Sequence, residues 1–390
     1  MVMSQTNTQR IYLDHQATTP VDERVVEAML PYFTETFGNA ASNDHVFGVE
    51  AKRGVDKARK HIARAINAKP DEIIFTSGAT ESDNIAVLGV AERYEDQGKH
   101  IITCVTEHKA VLDPCNELEE RGWDVTYLPV DEYGMVDTQA VRDAIRDDTT
   151  LISIMMANNE VGTIAPVKEI GAIAREHDVK FHTDAAQCVG HIPVDVDDMN
   201  IDLMSFSAHK CYGPKGVGAL YRRRSRPRVN LKPQIFGGGH ERGIRSGTLN
   251  VPSIVGFGEA VRIGVKEMKA DTETYREWTD QMYESLRDAI DGVERNGHPT
   301  KRLAHNLNVY IPGIESRALI VDLKETAVAT GSACTSAAVE PSHVITAMHD
   351  ADRAHSSIRI SLGRGNDAED VNEAAKRIAG AAESLRAFAL

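Results

Sequence analysis

The sequence predicts an α/β protein: a mainly parallel sheet with helices on both faces, plus a smaller α+β domain. Three observations predict it. Between residues 72 and 205, short apolar runs alternate with helical stretches of the length that parallel crossovers require. Those runs are apolar at consecutive positions, as in strands covered on both faces. After Ala270 the elements become shorter and mixed, and a chain of 390 residues has room for a large core and a second, smaller one. The expected division is an N-terminal segment, 1–20, packing with the small domain, then a large domain, 21–262. A small C-terminal domain, 263–390, carries the loop around Cys334.

In chain order, Ile11-Tyr12-Leu13 is a short apolar stretch that ends in the polar turn 14–20. Helical spacing follows at 21–32 and 48–66. The stretch 37–45 between them is small, polar and long, the profile of a functional loop. Strands are predicted at 72–76, 100–105, 125–128, 151–157, 179–183, 203–205 and 218–221. Helices are predicted at 81–97, 110–121, 138–145, 167–177 and 253–268. Beyond them come a long charged helix at 272–290 and short strands at 306–311, 327–330 and 358–361. The last helical stretches are 316–323, 342–349 and 368–387. No repeat and no low-complexity linker interrupts the pattern.

The formal charge of −14, from 58 acidic against 44 basic residues, argues against binding nucleic acid or an anionic membrane, both polyanions. The first ten residues are polar, so no export signal is expected. No apolar run approaches the roughly 18 residues of a membrane span. The five cysteines are an odd number, scattered, without a CxxC pair. Neither a disulfide framework nor a metal site is expected, and a reducing cytoplasm is the natural compartment.

Ligands of such sheets bind at the carboxyl ends of the strands, and five polar clusters stand there. Residues 75–84 read as strand, small-residue turn and helix, where free amides and the Thr80 hydroxyl can cradle a phosphate. The same residues also suit a plain capped helix. Neither a Walker loop nor a dinucleotide GxGxxG is present. His108, in Thr106-Glu107-His108, can stack on an aromatic cofactor and shuttle protons. Asn158-Asn159-Glu160-Val161-Gly162 ends another strand, and its side-chain amides can bond a phenolic oxygen. Asp184 heads Asp184-Ala185-Ala186-Gln187, and a buried carboxylate there needs a cation, which a protonated pyridine nitrogen supplies. Ser207, His209 and Lys210 close the last strand, and a lysine held there suits a Schiff base with an aldehyde. Each cluster alone has an ordinary structural reading. Five at successive strand ends describe a pyridoxal 5′-phosphate site.

Among the cysteines, Cys104 and Cys115 read as buried small hydrophobes. Cys188 and Cys211 each follow a cofactor residue by one step and point away. Cys334 differs, because residues 329–337 (ATGSACTSA) suit a tether for a thiol that travels to its target.

With SGATESDN, TEHKAVLDPC, ANNEVGT, SAHKCYGPKG, GGGHERGIRSGT and TGSACTS in place, the chain resembles the cysteine desulfurases. These belong to the class V aminotransferase superfamily of fold type I pyridoxal phosphate enzymes. The resemblance runs from Tyr12-Leu13-Asp14 to Arg359. The TGSACTS loop resembles the iron–sulfur-cluster group more than the group allied to selenocysteine lyases. The resemblance implies that Lys210 forms the imine, that His108 stacks on the cofactor, and that Asp184 pairs with its ring nitrogen. It implies Asn159 and Gln187 at the phenolic oxygen, and Ala79 (backbone), Thr80, Ser207 and His209 at the phosphate. Thr248 would reach the phosphate of a partner subunit, so a homodimer is implied. Arg359, helped by Asn39, would grip the substrate carboxylate as a bidentate fork.

The implied activity turns L-cysteine into L-alanine, with Cys334 taking the sulfur as a persulfide. The implied outlet is a sulfur-acceptor or cluster-scaffold protein for iron–sulfur assembly, and also thiolation of tRNA. The rival readings are a selenocysteine lyase, a class V aminotransferase, or a non-catalytic sulfur carrier on the same fold. The chain departs from the family's usual pattern at His15, Ala40-Ala41, Cys188 and Cys211, and it ends without the longer tail of some relatives.

Overall fold

The computed structural model describes residues 9–331 and 341–388. Cys334 lies outside the described residues. The chain opens with β1 (Ile11–Tyr12), α1 (Glu23–Met29), α2 (Pro31–Thr34) and α3 (Val46–Ala65). An alternating series follows: β2 (Ile73–Thr76), α4 (Ala79–Tyr94), β3 (His100–Cys104), α5 (Lys109–Glu120), β4 (Asp124–Leu128) and α6 (Thr138–Ala144). It continues with β5 (Thr149–Ser153), α7 (Val167–Glu176), β6 (Lys180–Asp184), β7 (Leu203–Ser207), β8 (Gly218–Arg222) and α8 (Val251–Ala289). The remainder comprises β9 (Glu294–Asn296), β10 (Asn306–Tyr310), α9 (Ser316–Leu323), β11 (Thr326–Ala327), α10 (His343–Met348), α11 (Ala351–His355), β12 (Ser357–Ser361) and α12 (Ala368–Phe388).

Seven strands form the central sheet, in the order β2-β8-β7-β6-β5-β3-β4. From β7 to β4 every neighbouring pair is parallel. Successive side chains of a strand leave on opposite faces, and the apolar runs serve both. Ile74, Ile101, Leu151, Leu203 and Leu220 pack against Ile85, Val90 and Val111 of α4 and α5. Phe75, Ile102, Ile152, Phe181 and Met204 face the other way, onto Val55, Ile62, Ile170 and Phe257 of α3, α7 and α8. Each such side chain contributes about 1.5–3 kcal/mol by leaving water. A separate core joins Ile11 and Leu13 to Met282 and Leu286 of α8, Leu307 and Val309 of β10, Ile358 and Ile360 of β12, and Ile378 of α12. There β12, β10 and β9 form an antiparallel sheet, and β1 pairs with β11.

The fold differs from the sequence expectation at identifiable places. The helix expected at 21–32 is two short ones, because Pro31 starts α2 and cannot continue α1. The two helices expected at 253–268 and 272–290 are one, α8, whose first half packs on the large core and whose second half packs on the small one. Its first half lies close to α3: a Cβ at Gly258 would stand 2.4 Å from the Ala58 Cα. Strand β8 runs antiparallel to both of its neighbours. The ten-residue link from β7 is too short for a crossover. No helix among the described residues is long and apolar enough to cross a membrane.

Candidate active site

The carboxyl ends of the parallel strands and the start of α4 enclose a cavity of about 520 Å³. That volume is in the range of cofactor and substrate sites. Ala79 and Thr80 open α4 and line it, and the first-turn amides of a helix have no carbonyl partner within it. The turn is tight, because a Cβ on Gly218 of β8 would lie 2.6 Å from the Gly78 Cα. Across from it, at the end of β7, the Ser207 hydroxyl is buried and has no hydrogen-bond partner. An orphan donor facing free helical amides is the chemistry of an anion cradle.

Lys210 closes a 3-10 turn, Ala208–Lys210, directly after β7. Its ammonium donates to the carbonyls of Ala17, at 2.8 Å, and of Gln16. Its own carbonyl accepts a hydrogen bond from His191 at 2.8 Å, which pins the main chain. His209 lies 3.2 Å from the Thr18 hydroxyl. Burial, with the charges of Lys210 and Lys215 nearby, pushes its imidazole down to about 4. His108 caps α5, its Nδ1 accepting from the Ala110 amide at 3.1 Å, which fixes the ring's orientation at the cavity wall.

Asp184 ends β6 in the cavity floor, where its carboxylate accepts from the Ala186 amide at 2.8 Å. Burial and the neighbouring Asp83 push its carboxyl up to about 7. Gln187 lines the cavity and donates to the Gln16 carbonyl at 3.1 Å. Of the two adjacent asparagines, Asn158 is structural, its side chain accepting from the amides of Glu160 and Val161, whereas Asn159 reaches the cavity. Arg359, on β12 and only 1% exposed, enters from the small core. It donates to Asp14 at 2.7 Å and to the Asn159 carbonyl at 2.9 Å, and its Nε has no partner.

Asn39 and Thr248 do not line this cavity. The Asn39 side chain turns back on its own loop, accepting from the Ala41 amide at 2.9 Å, and Thr248 is exposed. The four described cysteines are buried free thiols. Burial pushes Cys104 to about 11 and Cys115 and Cys211 to about 12, and raises Cys188 well above its ordinary value, which disfavours the thiolate in each.

Sequence reasoning missed Gln16, Asp83 and Lys215, which also line the cavity, and Asp14, which orients Arg359. Asp83 had a visible signal: four residues after Ala79, it shares that residue's face of the helix. Among the described residues no cluster of His, Cys, Asp and Glu could hold a metal ion. The set does fit pyridoxal 5′-phosphate. The phosphate suits the α4 amides and the orphan Ser207 hydroxyl, and a protonated ring nitrogen supplies the cation that buried Asp184 needs.

Residues 11–373 match the family model described as aminotransferase class-V. The chain is 54% identical to the cysteine desulfurase IscS of Neisseria meningitidis over 96% of its length and 93% of that protein's. It is 52% identical to the cysteine desulfurase IscS of Methylococcus capsulatus, with the same coverage. Among solved structures it superposes on a NifS-like protein with a TM-score of 0.90 at 38% identity, covering 97% of this chain and all of that one. It also superposes on a chain described as SspA in complex with cysteine, with a TM-score of 0.79 at 40% identity, covering 90% and 98% of the two chains.

Proposed function

Because the chain belongs to the aminotransferase class-V family and, within it, to the cysteine desulfurases, we propose that it converts L-cysteine to L-alanine and delivers the sulfur to Cys334. The observation that carries this reading is convergence. Helical amides, an orphan hydroxyl, a lysine, a buried acid and a buried arginine, from elements far apart in the chain, meet in one cavity.

Bound there, pyridoxal phosphate would supply an electron sink for the substrate's Cα, reached through the substrate's amino nitrogen. The start of α4, Ser207 and His209 would hold its phosphate. Asp184 would hold a proton on its ring nitrogen, Asn159 and Gln187 would serve its phenolic oxygen, and His108 would stack against the ring. Arg359, steadied by Asp14, would bind the substrate carboxylate as a fork. Lys210 would anchor the cofactor's aldehyde, and its amine, with His108 beside it, would move the Cα proton. The Cys334 thiolate attacks the substrate sulfur: a carbon–sulfur bond breaks, a sulfur–sulfur bond forms, and the carbon takes a proton to become alanine. L-cysteine plus the Cys334 thiol thus equals L-alanine plus a persulfide.

We divide the chain into a segment 1–20, a large domain 21–262 and a small domain 263–390. The split of hydrophobic cores along α8 and the packing of Ile11 and Leu13 in the second core support this division. A homodimer is part of the proposal. Leu30, Phe33, Phe37 and Val46 are more than half exposed along one stretch, and Thr248 has no role in its own chain's cavity. Outlets are a sulfur-acceptor or cluster-scaffold protein, serving iron–sulfur assembly and tRNA thiolation. The unpaired thiols suit a reducing cytoplasm.

The test is alanine and sulfide release from L-cysteine by the purified, cofactor-loaded protein, beside its Cys334→Ala variant. The variant should keep its yellow colour and its spectral response to cysteine, yet release almost no alanine. Full persulfide formation in that variant would show that another cysteine accepts the sulfur. Turnover of selenocysteine alone would make the protein a selenocysteine lyase.

A further inference from the structure

Behind Asp184 lies a second acid that the proposed chemistry does not use. Asp83 of α4 is fully buried and lines the cavity floor, yet neither of its carboxyl oxygens makes a well-formed hydrogen bond. His182 stands next to it, its Nε2 3.5 Å from Asp83 Oδ1. His182 precedes Asp184 by two residues on β6, so the two side chains leave the same face of the strand. Its ring is gripped from both sides, Nδ1 at 2.8 Å from the Ser153 hydroxyl of β5 and Nε2 at 3.0 Å from the Ser205 hydroxyl of β7. A serine hydroxyl can donate or accept, so either ring nitrogen can carry the proton.

The titratable groups around Asp83 are His182 and Asp184 on β6, with Glu107 and His108 after β3. Glu107 accepts from the Met155 amide at 2.5 Å, and burial, with Asp184 and Asp83 nearby, raises its carboxyl well above the ordinary value. Burial pushes the Asp83 carboxyl up to about 7, against the opposing pull of Ser205 and His108. Two ionised carboxylates sealed side by side, with no cation between them, repel strongly.

We propose that Asp83 and His182 hold one proton between them behind Asp184, as a positioning pair that keeps Asp184 the single ionised carboxylate against the cofactor ring. Loss of that proton puts a second anion in the floor of the site. The inference rests on the cofactor reading above.

The experiment follows the absorbance of enzyme-bound pyridoxal phosphate from about pH 5 to about pH 9. Wild type should titrate in two steps, one of them near neutral. Asp83→Asn keeps the shape but cannot titrate, so it should lose the near-neutral step. Its remaining midpoint should move down by about one pH unit, since a nearby anion no longer favours the cationic cofactor. His182→Gln should displace the near-neutral step, because the imidazole no longer shares the proton. A single step in wild type, two steps in Asp83→Asn, or an unmoved step in His182→Gln would overturn the pair. Should Asp83→Asn fold poorly, infrared spectra of wild type decide. A buried carboxylic-acid band that fades across the near-neutral step supports the pair, and a constant spectrum overturns it. A wild-type protein that takes up no coloured cofactor would overturn the functional reading instead.

Discussion

Asp184 should destabilise the cofactor-free protein, and replacing it should reveal by how much. Its carboxyl is pushed from 3.8 to about 7 by burial and by Asp83. Between those values the folded chain binds more protons than the unfolded chain, so stability falls as pH rises through that window and is level above it. A shift of roughly three units at about 1.4 kcal/mol each amounts to about 4 kcal/mol. Asp184→Asn keeps the size and can still accept from the Ala186 amide. Without cofactor, the variant should therefore be more stable than wild type by about 2 kcal/mol at pH 5.5 and about 4 kcal/mol at pH 8. Urea unfolding of the cofactor-free proteins at both pH values measures this. With pyridoxal phosphate bound the order should reverse, because the ring nitrogen loses its partner. A cofactor-free variant less stable than wild type at pH 8 would refute the claim that Asp184 is a buried carboxyl awaiting a cation.

Two further outcomes test the site. Arg359→Lys keeps the charge but loses the fork, so kcat/KM for L-cysteine should fall about 10- to 100-fold, mainly through KM, with the cofactor spectrum unchanged; an unchanged KM would remove Arg359 from substrate binding. Mixing Lys210→Ala and Thr248→Ala proteins under subunit exchange puts both defects in one site and none in the other, so part of the activity should return. No recovery, or a monomer at micromolar concentration, would remove Thr248 from the partner's site.

What was legible in the sequence was local. Apolar runs of strand length marked β2, β3, β5, β6 and β7 to within a few residues, because burial on both faces leaves no room for polar alternation, and the half-exposed edge strand β4 was marked as well. The strand β8 was also found, but its direction depends on the length of the preceding turn rather than on its composition. Lys210, Asp184 and His108 were legible for a similar reason: polar residues standing just past apolar strands have few structural duties there. The misses were long-range. Helix α8 was read as two because its composition changes where it passes from one core to the other, although no proline or cap interrupts it. Asp14 lies 345 residues from Arg359, and no spacing rule connects them.

Asp83 and His182 show the limit most clearly. Each sits beside a recognised motif residue, and each alone reads as an ordinary buried polar side chain. Only the packing of α4 across β6 brings carboxyl and imidazole within 3.5 Å and seals both from water. The identity of a group with reactive chemistry can thus be read from local pattern, whereas its protonation state depends on neighbours that only tertiary structure supplies. For this site the second quantity matters as much as the first, because on the proposal above Asp184 is the single anion in the floor of the site only while the acid behind it stays neutral.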